Sequence, residues 1–421
     1  MASHLDTARA APARPALPRS YLVWLAGTRA SLLGDAAMYF ALGWAASAHG
    51  GATAALVLSA VNLPRTVLLL LGGAVGDRFG ARRVLVAGDA VMLAAVLALA
   101  AVSSQLGTPP WLLVATAAVI GTVDAFYLPA TGSMPRRLVG KEQLPRALAV
   151  RQAGGQVASL LGAPLGGVLV ASAGLPGAAL VDAATFAVVL VVLLRVRPAF
   201  DVERSPRGES LLAGAAGGVR LAVTDPVLRP ALLLTAAAAA FLLPVVSLLN
   251  PLLAREHGWG AGAAGLMAAG QGAGMIAVSL AVTRRGAMRR IGVGAAAGLF
   301  AAALGIAAVA AAPTPAAAAG GGLLLGAGSG MFACHIGPLV LTGIPETHLS
   351  RMQSLLTLVQ SVSLLAANPL LGTLADTTSP RVTTGLCAAA VSTAALTALT
   401  SHPLRTLRTL HGGQPGPGRR E

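Results

Sequence analysis

Charge is scarce in this chain. Only 11% of its residues are Asp, Glu, Lys or Arg, while 55% are hydrophobic; soluble domains carry roughly a quarter charged residues and less than half apolar ones. That balance excludes a water-soluble globule for most of the length. Lysine occurs once, at Lys141, so the basic charge is almost all arginine. Cysteine occurs twice, at Cys334 and Cys387, both inside apolar stretches and without ligand spacing, which argues against a disulfide framework or a metal centre. Aromatic residues make up 4%, too few for an aromatic binding cage. Trp24, Trp44, Trp111 and Trp259 fall near the ends of apolar stretches, where anchoring at a membrane interface accounts for them. No phosphate-binding G-x-x-x-x-G-K-[ST] loop occurs, and the glycine run from Gly320 to Gly330 lacks the Lys such a site needs, so ATP is not the expected energy source. H-E-x-x-H and G-x-S-x-G are missing as well, which leaves little for an enzyme to work with. No catalytic residue, metal or cofactor is expected.

What the chain does have is a succession of apolar stretches of about twenty residues, the length that crosses a ~30 Å hydrocarbon core as a helix. Alternating strands of a barrel are not seen. Hydropathy and turn residues place spans at 21–47, 53–75, 84–104, 110–131, 147–171, 175–195, 227–253, 261–283, 291–311, 315–340, 352–374 and 381–400. The first is too long for the ~7–15-residue core of a cleavable signal, and an uncleaved span is expected. The net charge of +15 would point to nucleic acid in a soluble protein, but here the arginines gather in alternate loops. The loops around residues 77–83, 136–151, 195–229 and 284–290 hold most of them, and those near His49, 107–110, 173–176 and 312–315 hold none. This is the positive-inside pattern of a multi-pass protein of an inner or plasma membrane with both termini cytoplasmic. No nucleic-acid partner is expected; the lipid bilayer is the medium.

The polar stretch at 197–226 divides the chain. The expected organisation is all-α: a tail (1–20), a six-helix bundle (21–196), a cytoplasmic linker (197–226), a second six-helix bundle (227–400) and a tail (401–421), forming a monomer. Two pseudo-symmetric halves commonly place a substrate site near the midplane where they meet.

The sharpest local signal is GAVGDRFGARRVL, Gly73 to Leu85, between the second and third spans. Gly73, Asp77, Arg78, Gly80 and Arg82 keep the order of the loop signature of the major facilitator superfamily, which this chain resembles; Ala81 stands where that signature usually has Arg. The glycines let helix ends approach, and Asp77 is placed to accept hydrogen bonds at a helix terminus. Further on, FYLPA from Phe126, LVGKEQL from Leu138 and DAATF from Asp182 are similar to the macrolide and siderophore (enterobactin-type) exporter branch of that superfamily, together with GDAAMYFALGW in the first span. GAPLGG, with Gly162, Pro164, Gly166 and Gly167, resembles the antiporter signature of the fifth helix with one spacer after Pro instead of two. The likeness spans most of the first half; the second matches loosely, in NPLLGTLAD at 368–376.

Ionisable groups inside a membrane are costly and are functional candidates by default. Asp35 lies mid-span, with Ser31 and Tyr39 on the same helical face. At ~1.5 Å per residue its depth agrees with that of Arg65 within about 5 Å, and Arg29 and Asp124 share a shallower depth, so the expected pairs are Asp35 with Arg65 and Arg29 with Asp124. Asp89 is expected to be solvated near the cytoplasmic surface. Asn62, Asn250, Gln271, His335 and Gln360 are candidate cavity-lining residues, His335 leaning towards packing because no acid stands at helical spacing from it.

The resemblance implies a transporter that works by alternating access, with a small molecule and protons as its partners. The expected function is proton-coupled export of a small amphipathic or lipophilic compound, such as an antibiotic, a siderophore or another metabolite. The alternative is a receptor, scaffold or enzyme built on a transporter-like fold.

Overall fold

The computed structural model describes residues 16–196, 200, 228–286, 288, 290–341 and 349–400, with side chains at all of these except 70, 73, 74, 77, 338–341 and 349–354. The expected linker at 197–226 (Phe200 aside) and most of both tails lie outside them. Every regular element among the described residues is helical: α1 Arg19–Ser47, α2 Gly51–Phe79, α3 Ala81–Leu106, α4 Pro110–Leu138, α5 Leu144–Arg195, α6 Leu228–Glu256, α7 Ala261–Arg285, α8 Ile291–Ala310, α9 Pro315–Leu341, α10 Leu349–Thr377 and α11 Pro380–Thr400. Proline opens α4, α9 and α11, where its missing N–H costs nothing. In α6, Pro244 stands between two π-helical turns, 238–242 and 245–249, since a proline inside a helix breaks the regular ladder.

The 52 residues of α5 are two crossings. Gly174 takes φ 66° and ψ −171°, a left-handed conformation that only glycine adopts cheaply, and there the chain reverses. The reversal shows against α1. Arg29 and Ala36 lie beside Gly154–Gly155 and Gly162 of the first arm, whereas Gly27 and Gly34 lie beside Val192 and Asp182 of the second, so one arm ascends α1 as the other descends it. Ten stretches are long and apolar enough to cross a membrane. Counting both arms of α5 and adding α1, whose Asp35 and small polar residues lower its hydropathy, gives twelve crossings among the described residues. The protein is an all-α, multi-pass membrane protein.

Packing repeats from half to half. In the first, α2 lies on α4, and α3 on α4 and α5; in the second, α7 lies on α9, and α8 on α9 and α11. Between halves, α2 meets α10 and α5 meets α7, which is what a twofold relation between six-span units requires. Many of these contacts are backbone on backbone. A Cβ at Gly121 would overlap the Val61 carbonyl, and one at Gly326 that of Gln271. Small residues substitute here for the hydrophobic drive that lipid cannot supply. Large apolar side chains such as Leu63 and Val67 of α2 or Val168 and Leu180 of α5 are left exposed, as a lipid-facing surface requires.

Candidate functional site

Three helices of the first half converge on Asp124. The Tyr39 hydroxyl of α1 donates to its Oδ2 at 2.6 Å, and Nη1 of Arg65 on α2 stands 4.0 Å from the same oxygen. Arg65 follows Pro64, the one proline inside α2. The two side chains are 42% and 24% exposed, so this is an ion pair at a partly open face and not one sealed in the core. The pairing expected from depth is corrected: Arg65 reaches Asp124, not Asp35. Depth along a helix fixes height in the bundle but not the direction in which a side chain leaves its helix, and α2 packs on α4 far more extensively than on α1. Arg29 does not meet Asp124 either. It runs along α5, where its Nη1 donates to the Arg151 carbonyl at 3.4 Å.

Asp35 is half-buried and has no hydrogen-bond or ionic partner among the described residues. Its electrostatic neighbours are all acidic: Asp182, Asp124 and Asp89. Asp182 is 1% exposed and packs against Gly34, where any Cβ would collide with its Oδ1; Thr185 donates to that oxygen at 3.3 Å. Asp89, expected to be solvated, is instead fully buried, because α4 covers it with Tyr127, whose hydroxyl donates to it at 3.4 Å. Asp89 Oδ1 and Asp182 Oδ2 are buried without a hydrogen-bond partner among the described residues.

The remaining expected cavity residues divide. Ser31 and Asn250 are 4% and 3% exposed and sit in helix packing, not on an open face. Asn62 turns back on its own helix, donating to the Leu58 carbonyl at 2.9 Å. Gln271 is half-buried and Gln360 exposed. His335 is buried against Gly294 with both ring nitrogens engaged: the Met288 amide donates to Nε2 at 3.1 Å, so Nδ1 is the nitrogen that donates to Met331, at 2.7 Å. Both bonds go to the main chain, so the ring serves helix packing. Trp24 also departs from its expected place at the interface, being fully buried beside Tyr21.

In the loop signature, the side chain of Asp77 and the surroundings of Gly73 lie outside the described residues. Gly80 turns the chain from α2 into α3 at φ 87°, and Arg78 lies over the Phe79 ring. Arg82 caps the end of α5: Nε donates to the Leu193 carbonyl at 2.9 Å and Nη2 to that of Leu194 at 2.8 Å. Its fork satisfies carbonyls that a helix end leaves unpaired.

The GAPLGG segment has two faces. Gly162 and Gly166 fit against Ala36, Ala37 and Phe40 of α1, while Gly167 meets Gly265 of α7, in the other half. Further contacts between the halves lie towards the same end of the bundle, away from the α2–α3 turn. Gly51 and Gly372 touch backbone to backbone, and the Asp376 carboxylate at the end of α10 accepts from the amides of Gly51 and Ala52, at 2.5 and 2.8 Å. Beside them, Arg255 of α6 donates to Ser47 Oγ at 2.7 Å and to the Trp44 carbonyl at 2.8 Å, its guanidinium 4.2 Å from the Trp44 ring centre. Neither Arg255 nor Asp376 stood out in the sequence. The available signal was a charge at the end of an apolar run, which ordinarily reads as a solvated boundary.

This is a bundle of two six-span halves that meet through α2 with α10 and α5 with α7, carrying an acid-rich interior in the first half. The model of the Major Facilitator Superfamily matches residues 25–367, and the chain belongs to that family. Among characterised relatives, the multidrug efflux pump Tap of Mycolicibacterium fortuitum is 29% identical over 229 residues, 52% of this chain and 56% of that protein. Tap of Mycobacterium tuberculosis (strain ATCC 25618 / H37Rv) is 27% identical over 244 residues, 55% of this chain and 58% of the relative. The chain thus spans about half the length of these relatives. The nucleoside transporter NupG superposes with a TM-score of 0.70 at 12% identity over 91% of this chain and 99% of its own. An auto-inhibited POT family peptide transporter gives 0.69 at 14% identity over 94% and 99%. At such identities these two share the fold alone.

Proposed function

We propose that the protein is a secondary active transporter of the cell membrane that exports a small amphipathic or lipophilic compound in exchange for protons. The observation that carries this reading is Asp35, unpartnered among the described residues and set among Asp89, Asp124 and Asp182 in an apolar bundle. A lone carboxylate at that depth is expensive as an anion, and taking up a proton relieves both the desolvation and the repulsion from its neighbours. Asp124 differs in having partners, Arg65 and Tyr39. Asp35, the acid without a partner among the described residues, is the proposed proton carrier. With the termini on the cytoplasmic side, the contacts around Gly51–Gly372 and Arg255 lie at the outer end, which supports reading the described conformation as an inward-facing one. Protonation of Asp35 biases the balance between this state and its outward-facing counterpart, as coupling requires. A proton moving down the potential supplies ~2.3 kcal/mol per 100 mV. Export, and a drug-like substrate, are supported by the likeness of about half the chain to the Tap pumps.

The test is uptake of candidate antibiotics and siderophores into inverted membrane vesicles with internal pH recorded. A transported compound is expected to draw protons out in wild type and not in Asp35→Asn. Failure of every compound to move internal pH would remove the antiport reading.

A further inference from the structure

Arg29 and Arg151 stand together, half-buried, with no carboxylate among the described side chains to balance them. The arrangement is built, not incidental. Two consecutive glycines, Gly154 and Gly155, clear a channel on α5 in which the Arg29 side chain lies; an added Cβ at Gly155 would stand 2.7 Å from Arg29 Nη1. The Arg29–Arg151 carbonyl bond then holds the guanidinium at the base of its companion. The Nε atoms of both arginines are shielded from solvent and lack hydrogen-bond partners among the described residues. The electrostatic neighbours of Arg29 are Arg151 and the phenols of Tyr21 and Tyr127, and that of Arg151 is the Tyr21 phenol. The Tyr21 hydroxyl donates to the Ala147 carbonyl at 2.6 Å, and that of Tyr127 to Asp89. Asp124, the carboxylate expected at this depth, is committed to Tyr39 and Arg65.

Two like charges in a low-dielectric bundle repel, and each unpaired Nε adds a desolvation cost. An anion at the terminal guanidinium nitrogens offsets the repulsion. We infer that Arg29 and Arg151 form a binding site for a carboxylate or phosphate group, whose two oxygens suit the planar donor forks of two guanidiniums. The group arrives either on an anionic lipid headgroup or on a soluble anion. The site is independent of proton coupling, and its test does not involve transport.

The full-length chain is placed in nanodiscs of phosphatidylcholine, with or without phosphatidylglycerol, and its thermal unfolding midpoint is followed. A second series titrates inorganic phosphate into phosphatidylcholine discs at constant ionic strength. At least one probe is expected to raise the midpoint of wild type, with its apparent affinity weakened about tenfold in Arg29→Gln and again in Arg151→Gln. Gly155→Ala keeps both charges but displaces the Arg29 guanidinium, and is expected to weaken the same probe. A response to phosphatidylglycerol alone assigns the site to a headgroup; a response to phosphate in phosphatidylcholine assigns it to a soluble anion. If neither probe stabilises wild type, or if wild type and all three variants respond alike, there is no such site.

Discussion

Arg65 of α2 and Asp124 of α4 face each other at 4.0 Å, and the carboxylate oxygen they share with Tyr39 ties a third helix, α1, into the same contact. One oxygen thus reports on three elements of the first half. Asp35, one helical turn before Tyr39 on α1, has no cation beside it among the described residues, and the proposed proton role rests on that difference.

Removing the Tyr39 hydroxyl tests the junction. In the membrane an interhelical hydrogen bond contributes about 0.6 kcal/mol on average and up to about 1.7. Tyr39→Phe should therefore lower stability by about 1 kcal/mol while Arg65→Ala, which strands a carboxylate, costs more. Unfolding in a mild detergent–denaturant series measures both, and equal losses would mean that the ion pair adds nothing.

Asp376 holds the first two amides of α2 across the boundary between halves. A capping side chain contributes about 1 kcal/mol, so Asp376→Ala should shift the balance between the two end-states about fivefold towards opening at this end. Cysteines placed on either side of the Gly51–Gly372 contact, in a background without Cys334 and Cys387, should crosslink correspondingly less. Arg255→Ala is expected to act in the same direction, and unchanged crosslinking in both variants would rule out a latch.

Arg82 bonds two carbonyls with one planar group. Lysine cannot reproduce that fork. Arg82→Lys should consequently resemble Arg82→Ala, each losing about 1–3 kcal/mol, as read from the midpoint of thermal unfolding. Full rescue by lysine would mean that charge, not geometry, matters at this position.

His335 and Asp35 make opposite predictions for coupling. With both His335 nitrogens occupied by main-chain partners, His335→Gln should cost stability and leave the pH dependence of any proton-linked flux in place, whereas Asp35→Asn should abolish that dependence in folded protein. A flattened pH profile in His335→Gln would return the histidine to the proton path.

Much of the architecture was legible because hydropathy and loop charge are local properties. The twelve spans needed only segment length, apolarity and punctuation by Gly and Pro, and even the hairpin hidden within the continuous helix Leu144–Arg195 was marked in advance by Gly174 and Pro176. Asp89 shows where such reading stops. Its nearness to the helix start argued for solvent, but burial depends on Tyr127, thirty-eight positions away, arriving from α4. The same holds for the loop signature, whose Arg82 was recognised by order while its target at Leu193 and Leu194 was not.

The sequence alone determined the membrane as solvent, the helical spans, the two halves and the list of residues too costly to be idle there, since each follows from composition within a window of about twenty residues. Only the tertiary structure decided who meets whom: Asp124 with Arg65 and Tyr39, Asp376 with the start of α2, Arg29 with Arg151, and Asp35 with no cation among the described residues. The reason is angular. Position along a helix fixes a side chain's height, but its direction is useful only once the neighbouring helices are in place, and they are set by glycine contacts between segments far apart in the chain.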